Sequence, residues 1–141
     1  MRALLIVLFI ATLTAFSQEL CIKEVENDTN EPYLSYALLK TIEKAILESG
    51  WKLGCKEGST EVYVRITSFK ETPIAYTPAQ RVSSYNLSVS FSVRVGERSF
   101  FLAGTVPYSL PSGGLGDIPR RRAIDDLLDK IYWNLLQNFR R

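Results

Sequence analysis

The sequence predicts an α+β fold: a two-layer sandwich whose mixed, mostly antiparallel sheet carries two helices on one face, in the order β-α-β-β-β-β-α. Three observations predict it. Across residues 61–106, three consecutive runs alternate between apolar and small polar residues, the period of a half-buried β-meander. One stretch before the meander and one after it repeat apolar residues at helical spacing instead. Short strands flanking the first helix make a β-α-β opening, a connection that is normally right-handed and lays its helix across a sheet face.

Met1 and Arg2 form a short basic lead, an apolar or small run follows from Ala3 to Ala15, and Ala15-Phe16-Ser17 supplies small residues for signal-peptidase cleavage. Residues 1–17 therefore read as a secretory signal and 18–141 as one domain. The apolar run falls short of the roughly 20 residues that span a bilayer, which weighs against a retained anchor. At 141 residues, with 46% hydrophobic and 23% charged residues, the chain suits a single packed core. Its net charge of +2 is too small to point to nucleic acid as a partner. Histidine is absent, which removes the commonest general base and the commonest metal ligand together.

Leu20 to Glu26 reads as a short strand. Asn27-Asp28-Thr29-Asn30 is expected to turn the chain and cap a helix, with Pro32 in its first turn. Leu34, Ala37, Leu38, Ile42, Ala45 and Ile46 form that helix's apolar stripe, and Ser49-Gly50 ends it. Trp51 to Cys55 reads as a second short strand, and Gly58 marks the turn into the meander. In the first meander strand Val62, Val64 and Ile66 point inward, while Tyr63, Arg65, Thr67 and Phe69 point outward. Residues 71–81, with Pro73 and Pro78, read as a long protruding connection. The next strand sets Tyr85, Leu87, Val89, Phe91, Val93 and Val95 against Asn86, Ser88, Ser90, Ser92 and Arg94. Gly96-Glu97 is a two-residue hairpin break before the last strand. Residues 107–116, rich in Ser, Gly and Pro, read as an exposed loop. From Asp117, the expected cap, the stripe Ile124, Leu127, Leu128, Ile131, Leu135 and Phe139 defines the final amphipathic helix.

Two segments resemble a known family. The run Cys21-Ile22-Lys23-Glu24-Val25-Glu26-Asn27-Asp28-Thr29-Asn30-Glu31-Pro32-Tyr33-Leu34 is similar to the opening of the lipopolysaccharide-assembly lipoproteins (LptE), where a strand ending in Glu-Asn-x-Thr leads into Glu-Pro and a helix. Ile66 to Lys70 with Pro73, then Tyr76, Arg81-Val82 and Tyr85-Asn86-Leu87-Ser88-Val89, is similar to that family's strand, Pro-containing loop and long strand. The resemblance implies a non-enzymatic component of outer-membrane lipopolysaccharide transport, exported to the periplasmic face of the outer membrane. Such a protein plugs and helps assemble a large β-barrel translocon of the LptD type and binds lipopolysaccharide. The family usually begins with a lipidated cysteine followed by Gly and an aromatic residue, and that segment is missing, so membrane association is expected mainly through the partner. The rival expectation is a periplasmic accessory protein that regulates a cell-envelope enzyme by binding it.

Within that frame, Arg120, Arg121 and Arg122 stand in the first turn of the last helix, where the macrodipole disfavours cations, and phosphate groups of lipopolysaccharide would account for them. Local pairing of Arg121 with Asp125 and Arg122 with Asp126 is the alternative. Arg81 is a second candidate for an anionic headgroup. Tyr63, Phe69 and Phe101 are candidate partner contacts on the outward sheet face. In an exported chain Cys21 and Cys55 can bridge, or stay as two buried thiols. No metal site or cofactor is expected: Gly113-Gly114-Leu115-Gly116 lacks the preceding strand of a dinucleotide fingerprint.

Overall fold

The computed structural model describes residues 18–111 and 117–140. The expected signal segment, residues 1–17, and the second half of the expected loop, residues 112–116, lie outside them, as does the side chain of Asp117. The element order is β1 (Glu19–Asn27), α1 (Pro32–Glu48), β2 (Lys52–Leu53), β3 (Thr60–Tyr76), β4 (Val82–Val95), β5 (Arg98–Ser109) and α2 (Asp117–Phe139), which is the expected β-α-β-β-β-β-α. The five strands form one sheet in the order β2-β1-β3-β4-β5. β1 runs parallel to both β2 and β3, and the β3-β4-β5 meander is antiparallel.

The core lies between the sheet and the helices. All six apolar-stripe residues of α1 are buried, and so are Ile124, Leu127, Leu128, Ile131, Leu135 and Phe139 of α2. They pack with Val62, Val64 and Ile66 of β3 and Leu87, Val89, Phe91, Val93 and Val95 of β4 in one continuous cluster. Each fully buried Leu, Ile or Phe contributes roughly 1.5 to 3 kcal/mol, so this face supplies most of the driving force for folding. Gly96 opens the two-residue β4-β5 turn at φ +61°, a conformation that suits glycine there.

The structure corrects the local reading in several places. A bulge between Ile66 and Ser68 sets Thr67 and Ser68 together opposite Ser90. The extra residue reverses the alternation beyond it: Phe69 pairs with inward Val89 and packs partly buried against the core, on the side opposite to that expected. Residues 71–76 continue β3 rather than leaving the sheet, and the connection to β4 is only 77–81. Pro73 is tolerated opposite Tyr85 because β1 ends its pairing at Ile66, which leaves this part of β3 with a neighbour on one side only. Likewise, 107–109 extend β5; Pro107 sits on an edge strand, where no ladder donor is lost.

At the start of α1 the N-cap position is Glu31, with no side-chain cap, and Pro32 opens the helix. The expected capping cluster acts one step earlier. Asn27 accepts the Thr29 N–H at 2.9 Å and donates to the Glu31 carbonyl at 2.9 Å and to Ser35 Oγ at 2.8 Å, fastening the end of β1 to the first turn of α1. β2 is shorter than expected, two residues rather than five. It is held by the Lys52 N–H to the Gln18 carbonyl at 3.2 Å and the Gly54 N–H to the Leu20 carbonyl at 3.1 Å.

Candidate interaction surfaces

With both helices on one side, the other sheet face is left uncovered by the described elements. Its rows follow from the register. Tyr63, Arg94 and Ser99 form one, Arg65, Ser92 and Phe101 the next, then Ser68, Ser90 and Ala103, then Lys70, Ser88 and Thr105. Hydroxyls link neighbouring strands: Thr67 Oγ1 and Ser90 Oγ are 3.0 Å apart, and Ser88 Oγ and Thr105 Oγ1 are 2.9 Å apart. These small side chains satisfy one another and keep the surface wettable, which suits contact with a polar wall or with water.

Two of the three expected contact aromatics lie on this face. Phe101 is 62% exposed opposite Ser92. Tyr63 is half-buried: its hydroxyl donates to Glu61 Oε2 at 2.7 Å, and the Arg94 guanidinium lies 4.4 Å from its ring centroid. The Glu61 hydrogen bond is the main cause that raises the Tyr63 hydroxyl above the ordinary tyrosine pKa. A shallow groove of about 400 Å³ runs beside Tyr63 between Glu24, Glu26, Arg65 and Arg94. Phe69 is not part of this face.

The arginines gather at one end of the molecule, where the β3-β4 hairpin meets the start of α2, but they serve different partners. Arg120 forms an ion pair with Glu71 and approaches Glu31 Oε2 at 3.9 Å. Tyr108 donates to the same Glu71 carboxylate at 2.7 Å and stacks on Tyr85 with ring centroids 5.5 Å apart. Burial first, then the Glu71 hydrogen bond, pushes the Tyr108 hydroxyl well above the ordinary tyrosine pKa. Arg120 therefore joins hairpin, α1 and α2. Arg121 instead covers the Tyr33 ring at 5.3 Å, while the Tyr33 hydroxyl donates to Asp125 at 2.9 Å. Asp125 is thus bound to Tyr33, and neither expected i,i+4 Arg–Asp pair is among the ion pairs of the described residues.

Arg122 lines a mostly apolar cleft of about 680 Å³ with Tyr108, Leu110, Ile118, Pro119 and Asp126. Arg81 is exposed in the hairpin turn, where its own N–H donates to Thr77 Oγ1 at 3.2 Å. The sequence pattern could not show Glu71 as the partner of Arg120. The two lie 49 residues apart, and the sequence alone places Glu71 in a connecting loop.

Cys21 and Cys55 are joined by a disulfide with Cα atoms 4.7 Å apart. In the chain-entropy account a loop of this length contributes about 4 kcal/mol. Among the described residues no group of three or more acidic or cysteine side chains is placed to hold a metal ion, and no helix is long and apolar enough to cross a membrane.

No family model matches the chain. Its fold is shared with two solved structures: rare lipoprotein B from Shewanella oneidensis, at 12% identity and a TM-score of 0.53 over 86% of this chain and 92% of that one, and a minor lipoprotein from Acinetobacter baumannii, at 12% identity and a TM-score of 0.50 over 87% and 93%. At such identity the likeness concerns the backbone arrangement alone. Sequence relationship is much stronger to an uncharacterized protein of Aquifex aeolicus (strain VF5), 39% identical over 126 residues that make up 89% of this chain and 87% of that protein, and the chain belongs to that protein's family.

Proposed function

We propose that the protein is an exported, non-enzymatic component of outer-membrane lipopolysaccharide assembly, seated inside a β-barrel translocon as a plug. The observation that carries this reading is the uncovered sheet face, where Thr67, Ser88, Ser90, Ser92 and Thr105 present a hydroxyl-rich surface beside exposed Phe101. A barrel lumen is polar, and a plug needs one hydrophilic face held rigid by a core on its other side. The resemblance of the Cys21 to Leu34 segment to the lipopolysaccharide-assembly lipoproteins supports the reading, as does a backbone shared with two bacterial lipoproteins. Membrane association runs through the barrel: the Cys21 thiol is committed to Cys55 and is 2% exposed, so it carries no thioether-linked lipid.

In this reading Arg81, Arg121 and Arg122 meet the anionic groups of lipopolysaccharide, while Arg120 is occupied largely with Glu71 and Glu31. Guanidinium groups suit such a ligand because they chelate phosphate oxygens in pairs.

The test is site-specific photocrosslinking in cells, with the crosslinker at Ser90 on the bare face and at Leu47 on the exposed side of α1. A large outer-membrane β-barrel captured from Ser90 and not from Leu47 is the expected result. Capture of a peptidoglycan enzyme instead would favour the accessory-regulator reading, and no capture from Ser90 would remove the plug. Lipopolysaccharide affinity of the Arg81→Ala/Arg121→Ala/Arg122→Ala protein, measured at low salt where charge effects are largest, tests the cationic set separately.

A further inference from the structure

We propose that the Cys21–Cys55 disulfide is a redox-operated clasp on the edge of the sheet, whose reduction releases the β2 segment and opens the outer edge of β1. The two sulfurs sit in unlike surroundings. Cys21 is 2% exposed within β1, whereas Cys55 is exposed in the loop after β2. A dithiol reductant therefore has access from one side only. Its thiolate attacks Cys55 Sγ, the S–S bond breaks, and Cys21 leaves as a thiolate that takes up a proton. The second thiol of the reductant then closes its own disulfide and expels Cys55 as a thiol, so two electrons pass to the protein and the reductant is oxidised.

Little else holds the segment. β2 is two residues long, both exposed, and pairs only as Glu19 with Lys52 and Leu20 with Leu53. Among the described residues, the further ties are the Lys52 N–H to the Gln18 carbonyl, the Gly54 N–H to the Leu20 carbonyl and a 3.7 Å ion pair between exposed Lys56 and the largely buried Glu19 carboxylate. Lys56 is 83% exposed and Glu19 12% exposed, so solvent screens the pair from the lysine side and its contribution stays modest. The preceding residue is anchored independently, because the Trp51 indole donates to the Phe139 carbonyl at 2.8 Å and the Trp51 N–H to the Ile46 carbonyl at 3.2 Å. Release accordingly stops at Trp51 and leaves the core cluster, which contains neither cysteine, intact. It bares the start of β1, so that the strand's outer side is free from Glu19 to Asn27, and an unpaired edge of that length is a template for another extended chain.

Hydrogen exchange followed by mass spectrometry, with the whole protein oxidised or reduced by dithiothreitol, tests the clasp. Exchange at Lys52 and Gly54, whose N–H groups donate to β1, should rise at least about tenfold on reduction, while residues 87–95 of β4 keep their protection. The Cys21→Ala/Cys55→Ala protein should match the reduced form without any reductant. Protection at Lys52 and Gly54 that stays within about twofold in both would overturn the proposal. So would loss of protection throughout β4, which would make the disulfide a global staple rather than a local clasp.

Discussion

Gly104 lies directly under Ile131: a β-carbon added to Gly104 would stand 2.9 Å from Ile131 Cγ2 and 3.3 Å from Leu127 Cδ2. Gly104 pairs with inward-facing Val89, so α2 rests on bare backbone at this point of β5. The closeness of helix and sheet is set by the missing side chain. Gly104→Ala should cost roughly 1 to 3 kcal/mol through overpacking, and Gly104→Val more. Urea unfolding checks this; an unchanged midpoint for the alanine protein would mean that α2 shifts away freely.

Arg120 connects three elements through acidic partners on the other two. Arg120→Ala leaves Glu71, whose side chain is 15% exposed, without its cation, and Glu31 loses its nearby charge. The expected loss is about 1 to 3 kcal/mol, larger than for Arg121→Ala, whose guanidinium stacks on a surface tyrosine. A double-mutant cycle with Glu71→Gln isolates the pair: strong coupling is expected, and additive losses would deny it.

These contacts mark where the sequence is legible and where it is not. Both apolar stripes and the inward set of β4 could be read directly, because period alone decides which side of a helix or strand is buried. Phe69 could not, since one extra residue at Thr67-Ser68 inverts the alternation and nothing in the local pattern announces a bulge. Pro73 reads as an interruption because proline removes a ladder donor, and Pro107 reads as loop because its segment is rich in Ser, Gly and Pro. The first inference assumes a partner on both sides, and only the sheet order shows that these positions have one. The Arg120–Glu71 pair is a product of topology, which brings residues 49 positions apart to one corner. Asn27, expected in the turn, ends strand β1 itself, and its reach to Ser35 depends on the angle at which α1 leaves β1.

That reach makes a stability prediction. Asn27→Ala should lose about 1 to 3 kcal/mol, because the first turn of α1 has no side-chain cap of its own. Asn27→Asp keeps the acceptor for the Thr29 N–H and loses the bonds donated to Glu31 and Ser35, so it should fall between alanine and the native protein. Alanine and aspartate proteins of equal stability would show that the donated bonds carry the whole effect.

Tyr132 offers a pH test. Burial first, then the hydrogen bond to Glu48, raises its hydroxyl to about 12, against about 10 for an exposed tyrosine. A group whose pKa is raised on folding stabilises the native state fully below its unfolded value and ceases to do so as pH climbs through its folded value. The contribution should therefore decline between about pH 10 and pH 12 and vanish in Tyr132→Phe. Comparing urea midpoints of the two proteins across that window separates Tyr132 from the other raised tyrosines. A difference that does not change with pH would exclude the effect.

The sheet's two faces should answer to charge in opposite ways, and this bears most directly on function. Val89 and Ser90 are neighbours on β4, one 2% exposed against the helices and the other on the uncovered face. Val89→Lys forces an ammonium into a packed core without a partner and should prevent folding or cost several kcal/mol. Ser90→Lys gives up only a hydroxyl contact with Thr67, and its long side chain extends into open space, so stability should change by no more than about 0.5 kcal/mol. Seating against a complementary wall is a stricter requirement, since a lysine projecting above small neighbouring side chains holds two surfaces apart. If the protein is the plug proposed above, Ser90→Lys should therefore remain folded by circular dichroism while failing to bring down a β-barrel on co-purification from detergent-solubilised outer membranes. A folded Ser90→Lys protein that still brings down the barrel would place the contact elsewhere on the molecule, and the uncovered face would then be an ordinary solvated surface.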